Sequence, residues 1–345
     1  MLRELVAYEP GKPVLQEYQD EPLRDGYVRI KVDFGAPKHG TELVQFRGIN
    51  PFLTSKYDKE YQLFLEDDSV KNNPYFMRMG NMWVGSIIEK GDDIKHLSVG
   101  ERVAGYGPLR STQIIEAKKV MKMRDRMTWK EAVCFDPALF ALGGIRDGHV
   151  RMGDAVVVFG LGAIGLIAAQ MAKLSGSAAV IVVDPIARRR EAAMRSGADL
   201  AIDPNTEDAG LEIKKACGSR GADTVIETSG SYSALHQAIR GLAYEGNVAV
   251  VGWYKECKSG INLGLEAHFN QPNIILSRAC SEPNRDYPRW NFDRIKEVCW
   301  EMLSRGDLKC EDIVDPVVNF DESPQAYIDI DFHPEKSIKL GVEFT

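Results

Sequence analysis

The residues whose types and spacing could do chemistry stand out first between positions 154 and 185. Gly160-Leu161-Gly162-Ala163-Ile164-Gly165 is a glycine turn of the kind that cradles a diphosphate. Gly160 allows the tight turn, Gly162 lets the backbone approach a pyrophosphate, and Gly165 lets a helix pack closely on a strand. The helix that opens there offers unpaired N–H groups and a partial positive charge, so Leu161, Ala163 and Ile164 count with the glycines as cofactor-binding positions. Nineteen positions after Gly165 stands Asp184. A carboxylate there can accept hydrogen bonds from both ribose hydroxyls of NAD, and it repels the 2′-phosphate of NADP. Arg188, Arg189 and Arg190 cut the other way, because an arginine cluster suits a 2′-phosphate. On the following helix most of that run reads as a solvated face. Arg189 is kept as a cofactor-binding residue, and NAD is the expected cofactor, with NADP second.

A glycine pattern means little without elements to position it, and here they are present. Ala155-Val156-Val157-Val158-Phe159 is a continuous apolar run of strand length, suited to a parallel strand covered on both faces. Leu166 to Leu174 reads as an Ala-rich helix, and Ala178 to Val183 as a second strand ending on Asp184. A membrane span over 155–174 is the competing reading. Three glycines, Gln170, Lys173 and the adjacent strand argue against it. Further on, helices are expected at Arg188 to Ser196, Gly210 to Cys217 and Ser233 to Leu242. Strands are expected at Leu200 to Asp203, Asp223 to Thr228 and Asn247 to Gly252. This alternation predicts a parallel sheet with helices on both faces.

Residues 1 to about 130 read differently, as short strands broken by Gly and Pro. Leu2 to Tyr8, Pro13 to Tyr18, Tyr27 to Phe34 and Trp83 to Lys90 are the clearest, and Thr128 to Glu131 has the spacing of a helix cap. After Ser281 the chain carries an aromatic-rich helix, Phe292 to Arg305, and short strands ending at Ile338 to Phe344. A length of 345 residues suits two domains, and a net charge of -7 argues against nucleic acid or an anionic membrane as partner. Met1 to Leu5 shows no apolar signal core. The six cysteines (134, 217, 257, 280, 299 and 310) form no C-x-x-C pair, which implies reduced thiols and a cytoplasmic location.

At this point the pattern resembles the medium-chain dehydrogenase/reductase superfamily of zinc alcohol and polyol dehydrogenases. The resemblance covers essentially the whole chain. Its carriers are His39-Gly40-Thr41-Glu42 in an extended loop, Gly80-Asn81-Met82-Trp83-Val84-Gly85, Gly100-Glu101-Arg102-Val103 and Asp136-Pro137-Ala138-Leu139. In the cofactor half they are Gly160 to Gly165, Asp184, Glu227 to Gly230 and Val251-Gly252, which adds Ser229 and Gly252 to the cofactor residues. The fold implied is α/β: a GroES-like β-barrel catalytic domain (1–130 and 281–345) plus a Rossmann doubly wound parallel-sheet domain (131–280).

Departures from the family pattern bear on mechanism. Zinc-dependent members converge Cys, His and acidic ligands on a catalytic metal. The resemblance places His39, Asn81, Met82 and Asp136 at those positions, and neither a neutral amide nor a thioether is a usual zinc ligand. The four-cysteine structural lobe is absent as well, so no zinc is expected. Without it a positioned general base must take the alcohol proton, and His39 is the best-matched side chain. Asp136 is expected to orient its ring, Thr41 to serve a proton relay and Asn81 to hydrogen-bond the substrate oxygen, with Lys38 a second candidate acid. The other histidines, and Met82 and Trp83, read as structure or packing.

Ile49 to Met79 is long for the family and rich in aromatics, either a lid over the substrate cleft or, more plainly, a subunit contact or ordinary satellite packing. The expected function is an NAD-dependent oxidoreductase interconverting a secondary alcohol (sugar, polyol or cyclitol) and its ketone. Alternatives are an NADPH-dependent quinone or enone reductase, and a dinucleotide-binding protein without catalysis. A homodimer or homotetramer is expected, through an edge strand near Asn273 to Ala279.

Overall fold

A computed structural model of the chain describes residues 1–71, 74–254 and 261–345. Cys257 and part of the 49–79 stretch lie outside the described residues. Contacts divide the chain into two units, Met1–Asp125 with Asp315–Thr345, and Arg126–Val314.

The first unit is built on strands β1 (Arg3–Ala7), β2 (Pro13–Glu17), β3 (Tyr27–Ala36), β4 (Ser55–Asp58), β5 (Leu63–Glu66), β6 (Met77–Arg78), β7 (Met82–Lys90), β8 (Arg102–Tyr106), β9 (Thr112–Glu116) and β10 (Met121–Lys122), with helices α1 (His39–Phe46) and α2 (Asp68–Lys71). Its largest sheet runs β10-β8-β7-β3 and continues into the C-terminal strands, with β9 also paired to β3. Alternation explains β3: Val28, Ile30 and Val32 point inward and pack with Trp83, Ile87 and Val103. One expectation fails here. His39 to Glu42 is not an extended loop but the first turn of α1. The Glu42 carboxylate accepts the Lys38 backbone N–H and places negative charge at the helix N-terminus, so the turn closes despite Gly40.

The second unit holds β11 (Ala155–Phe159), β12 (Ala179–Val183), β13 (Leu200–Ile202), β14 (Ala222–Glu227), β15 (Leu242–Val250) and β16 (Asn273–Leu276). Its helices are α3 (Trp129–Val133), α4 (Phe135–Asp147), α5 (Ala163–Leu174), α6 (Ala187–Arg195), α7 (Ala209–Ala216), α8 (Tyr232–Gly241), α9 (Glu266–Asn270) and α10 (Phe292–Arg305). The sheet is parallel in the order β13-β12-β11-β14-β15-β16, the doubly wound Rossmann-like arrangement that the apolar runs imply. Val156, Val157 and Val158 are fully buried, as a strand covered on both faces requires. Strand order reverses between β11 and β14, which makes a topological switch point at their carboxyl ends. The capping box at Thr128 and Glu131 is present. Segment 281–314, assigned by sequence to the barrel domain, packs in this unit; Phe135 meets the Trp300 ring edge-on at 5.3 Å.

The chain then returns to the first unit through β17 (Val314–Asn319), α11 (Ser323–Phe332) and β18 (Lys339–Glu343). Val342 pairs with Gly35 and Glu343 with Phe34, antiparallel. Among the described residues no helix is long and apolar enough to cross a membrane.

Candidate functional site

The glycine turn takes the shape its composition asks for. Gly160 sits at φ +82°, a conformation only glycine adopts readily. A Cβ on Gly165 would lie 1.8 Å from the Gly160 carbonyl oxygen, so α5 packs against the turn with no room for a side chain. Gly162 is different. Its backbone is extended and caps α5, and a Cβ there would meet nothing within 4 Å. No packing inside the chain explains that glycine, whereas an approaching diphosphate does. The residues present therefore fit a dinucleotide.

Asp184 is buried, 3% exposed, and its carboxylate accepts the Leu161 N–H at 2.6 Å and the Ile186 N–H at 2.8 Å. It thereby ties the glycine turn to the end of β12. The arginine run is not the solvated face that the sequence suggests. The Arg189 guanidinium lies 3.9 Å from the Asp184 carboxylate, and Arg190 pairs with Asp203 at 2.9 Å and donates to the Asp184 carbonyl at 2.7 Å. Acids at 184 and 203 draw both side chains inward. Burial pulls the Arg189 pKa down, and the Asp184 charge opposes it.

Ser229 and Gly252 line up at the carboxyl ends of the neighbouring strands. A Cβ on Gly160 would lie 2.7 Å from the Ser229 nitrogen, and one on Gly252 2.4 Å from the Gly230 nitrogen. Thr228 donates its hydroxyl to the Gly160 carbonyl at 2.7 Å. Glu227, at the tip of β14, is fully buried. Its carboxylate accepts from the Ser229 N–H and hydroxyl, from the Gly230 N–H and from the Tyr254 hydroxyl.

In the first unit, α1 and the Gly80-Asn81 turn are joined by one side chain. Glu42 accepts the Lys38 N–H on one oxygen, and on the other the Gly80 N–H at 2.8 Å and the Tyr327 hydroxyl at 2.7 Å. That single carboxylate holds the start of the His39 helix beside the Asn81 turn. Tyr327 is itself fully buried, and the Glu42 interaction adds to burial in pushing its phenol well up. His39 Nε2 accepts the Leu340 backbone N–H at 2.9 Å, which places the neutral ring's proton on Nδ1. Buried Lys339 donates to the Pro37 carbonyl at 2.7 Å. Three contacts from the C-terminal segment thus hold the start of α1 around His39.

Thr41 is exposed on α1. The Asn81 backbone is fixed through Ala36 and Gly107, but its side-chain Nδ2 is buried without a hydrogen-bond partner. An orphaned donor costs about 1–3 kcal/mol, which a ligand oxygen would recover. Asp136 belongs to the second unit, in the first turn of α4, and is 6% exposed.

A zinc centre fits these residues poorly. The His39 lone pair on Nε2 already accepts an N–H, Met82 is fully buried, and Asn81 offers an amide. Among the described residues no three His, Cys, Asp or Glu side chains gather as a metal set. Within the 49–79 stretch β4 and β5 form a hairpin, and the Phe64 ring lies tilted against Phe52, with centroids 5.4 Å apart, and against Tyr57 at 5.2 Å. All three rings remain substantially exposed. Sequence reasoning assigned no role to Glu42, Glu227, Tyr254, Tyr327 or Lys339. An acid three positions after a candidate base was the one local signal, pointing to Glu42.

Comparison with known proteins follows from this geometry. Residues 163–297 match the model of the zinc-binding dehydrogenase family. Over 350 aligned positions the chain is 51% identical to a D-guloside 3-dehydrogenase of Escherichia coli (strain K12), covering 99% of this chain and all of that one. Two solved structures share the fold. The 2R,3R-butanediol dehydrogenase of Bacillus subtilis has a TM-score of 0.77 at 19% identity, over 99% of both chains. An Escherichia coli CFT073 protein described as a short chain alcohol dehydrogenase, complexed with NADH, also scores 0.77, at 21% identity over 99% of both chains.

Proposed function

The chain belongs to the zinc-type medium-chain dehydrogenase superfamily, and from that premise we propose an NAD-dependent oxidoreductase that interconverts a secondary alcohol of a sugar, polyol or cyclitol and its ketone without catalytic zinc. The observation that carries this reading is the 51% identity, over nearly the whole chain, to a protein named for dehydrogenation of a guloside. A ring hydroxyl of a glycoside is accordingly the substrate group we favour.

Gly162 and the N-terminus of α5 would hold the diphosphate, and Asp184 the adenosine ribose, with Leu161, Arg189, Ser229 and Gly252 beside them. When bound, NAD supplies the acceptor for the substrate's hydride. The remaining work is proton handling and positioning, and it falls to the chain's own groups. Asn81 donates from Nδ2 to the substrate oxygen, a role supported by the lack of any other partner for that buried nitrogen. His39 exchanges the alcohol proton. That proton enters the ring at Nε2, so accepting it means releasing the buried Leu340 N–H, a cost of about 1–3 kcal/mol. In the reverse sense the charged ring returns the Nε2–H proton to the carbonyl oxygen, and the freed Nε2 takes back the Leu340 N–H. Thr41 relays the proton outward. The exposed apolar residues Ile274 and Leu276 on edge strand β16 support association with a second copy. Free thiols at the described cysteines suit the cytoplasm.

The test is steady-state turnover with NAD+ and NADP+ on a panel of glycosides, polyols and cyclitols, joined to elemental analysis. NAD+-dependent oxidation that survives chelation, with far less than one zinc per chain, is expected. His39→Asn should lower kcat by about a hundredfold or more while NADH affinity holds. One tightly held zinc needed for turnover would overturn the zinc-free mechanism. NADH binding with no turnover on any substrate would favour the alternative without catalysis.

A further inference from the structure

Among the described residues of the second unit, the most deeply buried carboxylate has no part in the mechanism above. Glu227 ends β14, directly beside the strand that carries the glycine turn, and its side chain has no exposed surface. A buried carboxylate without a cation ordinarily survives only if its oxygens are filled with donors. Here they are. Oε1 accepts the Ser229 N–H at 2.7 Å and the Ser229 hydroxyl, and the Gly230 N–H lies 3.2 Å from each oxygen. Oε2 accepts the Tyr254 hydroxyl at 2.6 Å. The same residue's carbonyl takes the Val251 and Gly252 N–H groups at 2.8 and 2.9 Å.

Glu227 thus gathers the loops that follow β14 and β15. The loop after β14 in turn presses on the glycine turn, through Thr228 on the Gly160 carbonyl and through Ser229 against Gly160, and the loop after β15 packs on that loop at Gly230. The approach is so close that a Cβ on Gly252 would lie 2.9 Å from Oε2. In open α/β sheets the dinucleotide lies across the carboxyl ends of the strands at the switch point, which is where these loops meet.

We propose that Glu227, with Tyr254 as its outer partner, is a positioning residue for the cofactor, setting the spacing between the glycine turn and the Ser229 and Gly252 loops. This rests on the dinucleotide reading above. An amide replaces the acid imperfectly: its NH2 would face the Ser229 and Gly230 N–H groups or, turned over, would force the Tyr254 hydroxyl from donor to acceptor, and either way the charge is lost. Burial pushes the Glu227 carboxyl up while these donors oppose it, and burial followed by the Glu227 charge pushes the Tyr254 phenol up, so Tyr254 remains a donor. Tyr232, edge-on to Tyr254 at 4.9 Å, is the next titratable ring.

The experiment titrates NADH fluorescence against full-length wild type, Glu227→Gln and Tyr254→Phe, with melting temperatures and the KM for NAD+ measured alongside. Glu227→Gln should weaken NADH binding about tenfold and Tyr254→Phe about threefold, with KM for NAD+ rising in step and kcat at saturating NAD+ moving less than twofold. Tyr254→Phe, whose ring is only half-buried, decides the matter if Glu227→Gln fails to fold. Wild-type affinity in Tyr254→Phe, or a loss confined to kcat and melting temperature, overturns the proposal. Failure of the wild type to bind either NADH or NADPH would instead overturn the dinucleotide reading on which it stands.

Discussion

Replacing Gly162 by alanine separates a cofactor cradle from a turn that serves only the fold. The added Cβ meets nothing within 4 Å, and the backbone at φ −70° and ψ −172° suits any residue. Alanine reduces the entropy of the unfolded chain, worth about 0.4–1 kcal/mol, but it is a poorer helix cap than glycine. These effects oppose each other, so stability should stay within about 0.5 kcal/mol, a melting shift of no more than about 2 °C. The bound diphosphate fares differently. A methyl group at this point holds it away from the N–H groups of α5, and losing one hydrogen bond to a charged oxygen costs about 1.5–3 kcal/mol. That corresponds to roughly a ten- to hundredfold rise in the NADH dissociation constant. Gly165→Ala is the contrast, because its Cβ would sit 1.8 Å from the Gly160 oxygen and 2.9 Å from the Thr228 hydroxyl. Overpacking there should cost at least about 1–3 kcal/mol and lower the melting temperature by several degrees. Scanning fluorimetry and NADH titration on both variants give the answer. If Gly162→Ala binds NADH as the wild type does, or loses binding only as it loses the fold, the reasoning fails.

Two further outcomes follow from the same neighbourhoods. Asp184→Asn should shift the ratio of NADPH to NADH affinity toward NADPH by about tenfold, since it removes the charge facing a 2′-phosphate while leaving an acceptor for the Leu161 N–H; an unchanged ratio in paired titrations would sink the assignment of that carboxylate to the ribose. Burial pushes the Cys299 thiol up to about 12, so at pH 8 only about one molecule in ten thousand carries the reactive thiolate. Iodoacetamide at pH 8 should leave Cys299 unlabelled in the native protein and label it fully in urea, read by peptide mass; fast native labelling would show that the α4–α10 packing around it is loose.

The parts of the molecule legible in its sequence are those specified by neighbours along the chain. Ala155 to Phe159, the glycine turn and α5 follow from an uninterrupted apolar run, three glycines and a helical alanine pattern. Each is decided within a few residues. The burial of Arg189 and Arg190 was not legible, because a run of three arginines reads as solvated until Asp184 and Asp203 are seen to face it. Neither was α1. His39-Gly40-Thr41-Glu42 has no apolar period and contains a helix-weakening glycine, and its first turn closes on the Glu42 carboxylate. That carboxylate is in turn fixed by Tyr327, 285 positions away. The segment 281–314 misled for a similar reason, since aromatic residues mark a helix but not the surface on which it docks.

The hydrogen bond between Leu340 and His39 spans 301 positions and constrains how the protein comes into being. During synthesis the Rossmann-like unit has every strand of its sheet before Asp315 emerges, whereas the imidazole waits for a latch made last. A nascent chain therefore acquires its glycine turn well before the His39 ring, the proposed proton carrier, gains its Leu340 partner. Until β18 zips onto β3, the parallel sheet is whole while the imidazole still lacks the N–H that fixes its ring.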